Sequence, residues 1–176
     1  TLIEKDPDYT YATARLLLAA RRGDRLEQLA AAIYARHGVE VRTLALDVRD
    51  QPAVEAAIHG LPAAWAPIDI LVNNAGLSRG LDKLHEGKLA DWEEMIDTNI
   101  KGLLYVSRAV IPGMVTRRRG HIINIGSIAG HQVYPSGNVY SATKHAVAAL
   151  TQGMRMDLLG SEMRVSTLDP GMVETE

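Results

Sequence analysis

The sequence feature that most constrains the fold is a short β-branched run followed by a long stretch with helical periodicity. The run is His121–Ile125, and it ends at Gly126 and Ser127. Apolar residues then recur at helical spacing over Ser141–Leu159. The run predicts a buried strand, and the stretch predicts a helix that begins near Asn138. Because ligands bind beyond the carboxyl ends of the strands in open α/β sheets, the sequence predicts Ser127 at a ligand-binding edge.

Two side chains with complementary chemistry lie near the start of that helix. Tyr140 and Lys144 are four residues apart, which places them on one helix face, one turn apart. A free phenol has a pKa of about 10, so proton transfer at neutral pH faces a deficit of about 4 kcal/mol. A nearby ammonium favours the tyrosinate and offsets part of this deficit. The pair would suit proton transfer, but by itself this spacing is more often a surface tyrosine packed beside a lysine stem.

Further strands and amphipathic helices alternate along the chain. Strands are predicted at Val39–Leu46, Ile68–Val72 and Met163–Leu168, and helices at Asp24–His37, Gln51–Gly60 and Asp91–Met114. Asp91 is the expected N-cap of the last helix. Its predicted buried stripe also contains Asn99 and consists of Ile96, Ile100, Leu103, Leu104, Val106, Val110 and Met114.

The first twenty residues are the least regular part. Thr1–Ile3 could end a strand, Glu4–Asp8 is turn-like, and Ala12–Ala20 has a helical pattern. Leu18–Arg22 could also be the end of a strand.

Composition excludes several classes of protein. The 176 residues carry a net charge of -2, which suggests no nucleic-acid or acidic-membrane partner. The absence of cysteine excludes disulfides and thiolate catalysis, and the six scattered histidines predict no metal site. No apolar run approaches the ~18 residues of a membrane-spanning helix, and no signal-peptide pattern is visible. We therefore expect no membrane partner and a cytoplasmic location.

A third motif follows the predicted strand Ile68–Val72. Residues Asn73–Gly76 read Asn-Asn-Ala-Gly, and in this order and spacing with Ser127, Tyr140 and Lys144 the chain resembles the classical short-chain dehydrogenase/reductase family. The resemblance runs from about Arg21 to the C-terminus. It implies an α/β fold with a doubly wound, mainly parallel, Rossmann-like sheet. It also implies a single dinucleotide-binding domain over residues 1–176.

The resemblance implies roles for four catalytic residues. Tyr140 is the acid/base at the substrate oxygen, and Lys144 favours its tyrosinate form and holds the ribose hydroxyls of the cofactor. Ser127 donates a hydrogen bond to the substrate oxygen. Asn99 binds a water that links to Lys144 and supports the proton relay.

The resemblance also implies cofactor contacts. It places the Asp47 side chain and the Val48 backbone near the adenine, although Asp47 could also cap the helix that begins at Gln51. The other expected cofactor contacts are Asn74, Ala75, Gly76, Tyr140, Lys144, Pro170, Gly171 and Val173.

Arg21 and Arg22 follow a predicted strand end, where the resemblance places the cofactor ribose. Two arginines there would pair with a 2′-phosphate, so we expect NADP rather than NAD. Alone, the same pair would be interpreted as a solvated cap of the next helix.

One family motif is absent: no glycine precedes Gly23, so the Gly-rich phosphate turn is not visible. We expect the family fold to be incomplete at this turn and at the C-terminus. Either the sequence omits residues between these elements, which we favour, or the chain is a degenerate fragment.

The implied function is an NADP-dependent oxidoreductase that interconverts a secondary alcohol and a ketone. Trp92–Asn99 and Gly120–Ser127 are similar to the bacterial 3-hydroxy-acid (serine, allo-threonine) dehydrogenases of this family, so a 3-hydroxy acid is one candidate substrate. A member without its cofactor turn that acts as a non-catalytic binding or scaffold protein is the alternative. A relative of the nucleotide-sugar epimerases is a third, against which the Asn-Asn-Ala-Gly turn and the short length argue.

Two long apolar helices suggest self-association. One sheet face would not bury every apolar side of the helices over Asn99–Met114 and Tyr140–Leu159. The resemblance implies that they pair in a homodimer or homotetramer. The other interpretation is that a further C-terminal segment of the same chain covers them.

Overall fold

The computed structural model describes residues 14–172. The predictions for Thr1–Ile3, Glu4–Asp8 and Val173 lie outside the described residues. The chain divides into two compact units, residues 1–46 and 47–176, and each is described by itself.

The first unit is a β-α-β arrangement. It contains β1 (Arg15–Ala20), α1 (Gly23–His37) and β2 (Glu40–Ala45). The two strands pair in parallel over their full length. Gly38 ends α1 with a left-handed backbone (φ 66°), and its N–H donates to the Tyr34 carbonyl at 2.8 Å.

The helix predicted over Ala12–Ala20 is wrong for residues 14–20, which are the part that the structure describes. Residues 15–20 form β1, so only the predicted strand end at Leu18–Ala20 is confirmed. Alanine, leucine and arginine are good helix formers, but such local preference is small in energy, and pairing with β2 overrides it.

The second unit contains a three-stranded parallel sheet. Its strands are β3 (Ile70–Asn73), β4 (His121–Ile125) and β5 (Arg164–Leu168), in the order β3-β4-β5. Asn73 lies opposite Asn124, and Ile125 lies opposite Leu168. The carboxyl ends of the three strands therefore lie at one edge, where the sequence predicts the site. The predicted α/β class with parallel pairing is confirmed.

Four helices accompany this sheet: α2 (Gln51–His59), α3 (Leu89–Ile96), α4 (Leu103–Arg117) and α5 (Asn138–Asp157). A π-helical segment, Asp97–Gly102, joins α3 to α4. The predicted helix over Asp91–Met114 therefore exists, but it is longer and contains one wide turn. Its N-cap is Lys88 rather than Asp91. Asp91 lies in the first turn, where its negative charge interacts favourably with the positive end of the helix dipole.

The core lies between the sheet, α4 and α5. Leu71, Val110, Met114 and Ile122 form its buried cluster. Val110 and Met114 confirm the predicted stripe. Ile96 and Leu104 do not, since each is 39% exposed. The π-helical segment lies between these two residues and changes the helical register, so one constant period cannot describe both sides.

No helix within residues 14–172 is long and apolar enough to cross a membrane.

Candidate active site

Ser127 lies directly beyond the carboxyl end of β4. Its side chain is buried, and its Oγ accepts a hydrogen bond from the Ala129 N–H at 3.1 Å. This contact begins a 3-10 turn over Ile128–Gly130. A Cβ on Gly130 would lie 2.8 Å from the Lys144 carbonyl oxygen, so a glycine is needed for the turn to pack this closely on α5. The turn thereby holds Ser127 beside the helix that carries Tyr140 and Lys144.

Lys144 is buried one helical turn after Tyr140. Its Nζ lies 5.8 Å from the centroid of the Tyr140 ring and donates to the Ile125 carbonyl at 2.9 Å. Only 7% of Lys144 is exposed, whereas the surface packing considered above would leave the ammonium in solvent. Burial lowers the pKa of Lys144, and the negative charge of Asp169 partly opposes this effect. The sequence did not identify Asp169 as a site residue.

Tyr134 is a second tyrosine, six residues before Tyr140 in the sequence. Burial first, and then the charge of Tyr140, raise the pKa of Tyr134 above its usual value. A raised pKa leaves even less of this phenol ionised at neutral pH, so Tyr134 is less suited to supply a tyrosinate. Tyr140 therefore remains the better candidate for proton transfer.

Asn99 lies in the π-helical segment and has every amide hydrogen satisfied. Its Oδ1 accepts from the Leu77 N–H at 2.8 Å, and its Nδ2 donates to the Leu77 carbonyl at 2.9 Å and to Thr143 Oγ1 at 3.0 Å. Thr143 Oγ1 donates in turn to the Tyr140 carbonyl at 2.7 Å. Asn99 therefore connects the loop after β3 to the first turn of α5. Thr143 is a site residue that the sequence did not predict; its position three residues after Tyr140 was the available signal.

The Asn-Asn-Ala-Gly turn lies against Lys144 and Asn99. A Cβ on Gly76 would be 3.4 Å from Lys144 Nζ and 3.5 Å from Asn99 Oδ1. Asn74, Ala75 and Gly76 are exposed, so their backbone is open to a ligand. The structure thus brings the predicted turn together with two predicted catalytic residues.

A buried chain of hydrogen bonds lies beneath the site. Asn73 Nδ2 donates to Ser107 Oγ at 3.0 Å and to Asn124 Oδ1 at 2.8 Å. Asn124 Nδ2 donates to Thr151 Oγ1 at 2.9 Å. We call Asn73, Ser107, Asn124 and Thr151 the buried ladder. It connects β3, β4, α4 and α5, so the first asparagine of the Asn-Asn-Ala-Gly motif links neighbouring strands.

Asp47 does not cap α2, so that alternative is wrong. The cap is Asp50, whose side chain accepts from the Ala53 N–H at 3.0 Å. Asp47 instead binds Arg49 through the backbone N–H and the guanidinium, with 2.6 Å between Asp47 Oδ2 and Arg49 Nη2. Asp50 wins because it immediately precedes the first helical residue.

Val48 packs on the π-helical segment. A Cβ on Gly102 would lie 2.6 Å from Val48 Cγ2, so no larger residue fits at Gly102 without a shift. The segment after β5 meets the Ser127 turn, because Ile128 N–H donates to the Pro170 carbonyl at 3.2 Å. Gly171 follows and is exposed.

Arg21 and Arg22 lie in the first unit, between β1 and α1, and both are exposed. Arg22 is the N-cap residue of α1 but makes no side-chain capping hydrogen bond. A cation is disfavoured at the positive end of a helix dipole, whereas a phosphate is favoured there. The capping alternative is therefore the weaker of the two interpretations. Within residues 14–172, no three His, Asp or Glu side chains cluster in a way that could hold a metal.

A family model matches this chain well beyond the site residues. The family model described as short chain dehydrogenase matches residues 9–176. The chain belongs to this family.

Individual relatives sharpen the comparison. The chain is 50% identical over 159 residues to the NADP-dependent 3-hydroxy acid dehydrogenase YdfG of Salmonella typhi, covering 90% of this chain and 62% of that protein. A crystal structure of serine dehydrogenase from Escherichia coli superposes with a TM-score of 0.84 at 47% identity, covering 90% of this chain and 72% of that one. The closed form of serine dehydrogenase complexed with NADP+ gives 0.85 at 47% identity, covering 91% and 63%.

The chain spans about 62% of the length of the curated relative that it matches.

Proposed function

We propose that this protein is an NADP-dependent oxidoreductase that interconverts a secondary alcohol and a ketone. The observation that carries the proposal is the buried Lys144, fixed to the end of β4 one turn from Tyr140. A lysine is rarely buried unless its charge is used or paired. Here it lies where a cation would stabilise a tyrosinate, beside a serine that can bind a substrate oxygen.

The residues divide the chemistry between them. Tyr140 exchanges a proton with the substrate oxygen, and Ser127 donates a hydrogen bond to that oxygen. Lys144 stabilises the tyrosinate form, and Asn99 fixes the first turn of α5 through Thr143. NADP supplies the hydride acceptor when it is bound. The protein thus contributes position and charge rather than redox chemistry.

The residues present fit this cofactor. The exposed backbone of Asn74–Gly76 lets a ligand approach within reach of Lys144, and Pro170 and Gly171 lie next to the Ser127 turn. Arg21 and Arg22 would bind the 2′-phosphate that distinguishes NADP from NAD. The adenine would lie near Asp47 and Val48. The NADP in the names of the relatives supports the same choice.

A 3-hydroxy acid is the proposed substrate. The comparisons to a 3-hydroxy acid dehydrogenase and to serine dehydrogenase both support this class, since serine is itself a 3-hydroxy acid. The non-catalytic scaffold is not favoured, because these relatives are named as dehydrogenases and the described site retains all four proposed catalytic residues.

Turnover tests the proposal directly. The purified protein is supplied with NADP+ and serine or other 3-hydroxy acids, and NADPH formation is followed by absorbance. Tyr140→Phe should lower turnover by about 10²–10⁴-fold, because it removes the acid/base. Tyr134→Phe is the matched control and should retain turnover. Near-normal turnover in Tyr140→Phe would contradict the assignment, and NADP binding without turnover of any alcohol would favour the scaffold.

We further propose that the protein is a homodimer or homotetramer. Ile96 and Leu104 are 39% exposed and Met156 is 71% exposed, so the helices keep apolar surface for a second copy. Light scattering across a tenfold dilution series tests this, and a monomeric mass throughout would reject it.

Domain organisation and location are also proposals. We propose a single dinucleotide-binding domain, because one family model matches residues 9–176. One cooperative urea transition, shared by far-UV and tryptophan signals, would support it. The cytoplasmic location stays a prediction of the sequence, and cell fractionation tests it.

A further inference from the structure

The first residue after β5 lies beside the end of β4. Ile125 pairs with Leu168 in the parallel register, and the Gly126 N–H donates to the Leu168 carbonyl at 2.8 Å. Asp169 follows directly. A Cβ on Gly126 would overlap Asp169 Oδ1, so the carboxylate occupies the space that any other residue at Gly126 would fill. The glycine therefore makes room for an acidic side chain between Ile125 and Ser127.

The ammonium of Lys144 binds the backbone one residue before Gly126. Its Nζ donates to the carbonyl of Ile125, the residue immediately before Gly126. A carbonyl offers only a partial negative charge. An ammonium that is buried on such a partner needs a full counter-charge nearby, since an isolated buried charge is costly.

We propose that Asp169 is the counter-charge that keeps the buried Lys144 protonated, which makes Asp169 a positioning residue of the site. The proposal deepens the proposed function, because it rests on Lys144 acting as a cation beside Tyr140. The direction of the electrostatic effect agrees: burial lowers the pKa of Lys144, and Asp169 raises it. Without Asp169, a larger fraction of Lys144 would be neutral and unable to stabilise a tyrosinate.

His131 also contacts the Asp169 carboxylate. His131 Nε2 lies 3.2 Å from Asp169 Oδ2, and the histidine side chain is largely exposed. A protonated His131 would share the charge of Asp169 and weaken its effect on Lys144. The other titratable and charged groups on α5 and on the elements packed against it are Asp91, Glu93, Glu94, Asp97, Lys101, Tyr105, Arg108, Arg117, His121, Tyr140, His145, Arg155, Asp157 and Arg164.

The test measures the charge state of Lys144 without cofactor or substrate. The intact protein is labelled with an amine-acylating reagent over a pH series, and Lys144 modification is quantified by peptide mass spectrometry. Only the neutral amine reacts, so the pH midpoint of labelling reports protonation. Asp169→Asn keeps the shape and removes the charge. We expect its midpoint to move to lower pH, with roughly three- to tenfold faster labelling below the midpoint.

Two further variants keep the experiment decisive. Asp157→Asn removes the same charge about 20 Å along α5, beyond the screening length, and should leave the midpoint unchanged. Gly126→Ala should displace the carboxylate and move the midpoint in the same direction as Asp169→Asn. An unchanged or raised midpoint in a folded Asp169→Asn protein would overturn the proposal. Because no turnover is measured, this outcome is separate from failure of the proposed function.

Discussion

Two regions of the chain that carry proposed functional residues are built in opposite ways. Around α5, the side chains are buried and joined by hydrogen bonds, as in the buried ladder and the Asn99–Thr143 contact. Between β1 and α1, two exposed arginines carry the proposed cofactor preference. Chemistry that depends on geometry thus lies on a rigid buried network. Discrimination by charge needs only an accessible cation, so substitutions in the two regions should have different consequences.

The largest effect that should separate the two regions is on cofactor preference. Arg21→Gln combined with Arg22→Gln should lower the NADP/NAD ratio of kcat/KM by about 10–100-fold, because a charge-assisted contact to phosphate is worth about 1.5–3 kcal/mol. Stability should change little. Arg36→Gln, near the end of α1, is the matched control. An unchanged ratio would mean that neither arginine binds the 2′-phosphate.

The buried ladder should show the reverse pattern. Asn124→Ala leaves the Asn73 amide without its strand partner and should lower the free energy of unfolding by about 1–3 kcal/mol. The NADP/NAD ratio should stay as it is. Urea unfolding measures the first quantity, and Gln132→Ala, at an exposed amide, controls for loss of the side chain. A loss no greater than that of the control would show that the ladder is not a source of rigidity.

A smaller effect concerns pH and Lys144. Its folded pKa lies below the ordinary value of 10.5, so between these two values the unfolded chain binds more protons. Stability should therefore rise with pH in that window. Lys144→Met should remove the rise. Lys101→Met is the control: Asp97 raises the pKa of the exposed Lys101, so its weaker slope of opposite sign lies above pH 10.5, and this variant should keep the rise below that pH. Urea unfolding of the unmodified protein and of Lys144→Met, from neutral pH to about 10.5, measures these slopes. Identical slopes in the two proteins would mean that Lys144 is not desolvated.

The smallest effect is expected at Ser141. Its Oγ is fully buried and has no hydrogen-bond partner within residues 14–172. Ser141→Ala removes an unpaired polar atom and should leave the free energy of unfolding unchanged or raise it by up to about 1 kcal/mol. Ser107→Ala, which removes a bonded hydroxyl, should lower it. A Ser141→Ala protein that melts like Ser107→Ala would indicate that the hydroxyl has a partner.

Features encoded within one segment could be predicted from the sequence. β4, α5 and the close spacing of Tyr140 and Lys144 follow from local periodicity. Asn73 and Asn124 are 51 residues apart, so only the strand register brings them together. Asp169 likewise lies beside Gly126 because of the register in which β4 and β5 pair. The misread β1 shows the same limit, because a pairing partner decides its conformation.

The π-helical segment has a consequence for how this chain tolerates insertions and deletions. A π turn holds more residues than an α turn, so deleting one residue between Asp97 and Gly102 would allow an ordinary α-helix. That helix would be more regular. Yet everything on one side of the deletion would rotate by about 100° relative to the other. Either Asn99 would turn away from Leu77 and Thr143, or Val110 and Met114 would leave the core. A single-codon deletion here should therefore give a regular helix but disrupt either the site or the core. The same deletion in an exposed loop should leave the site and the core unchanged.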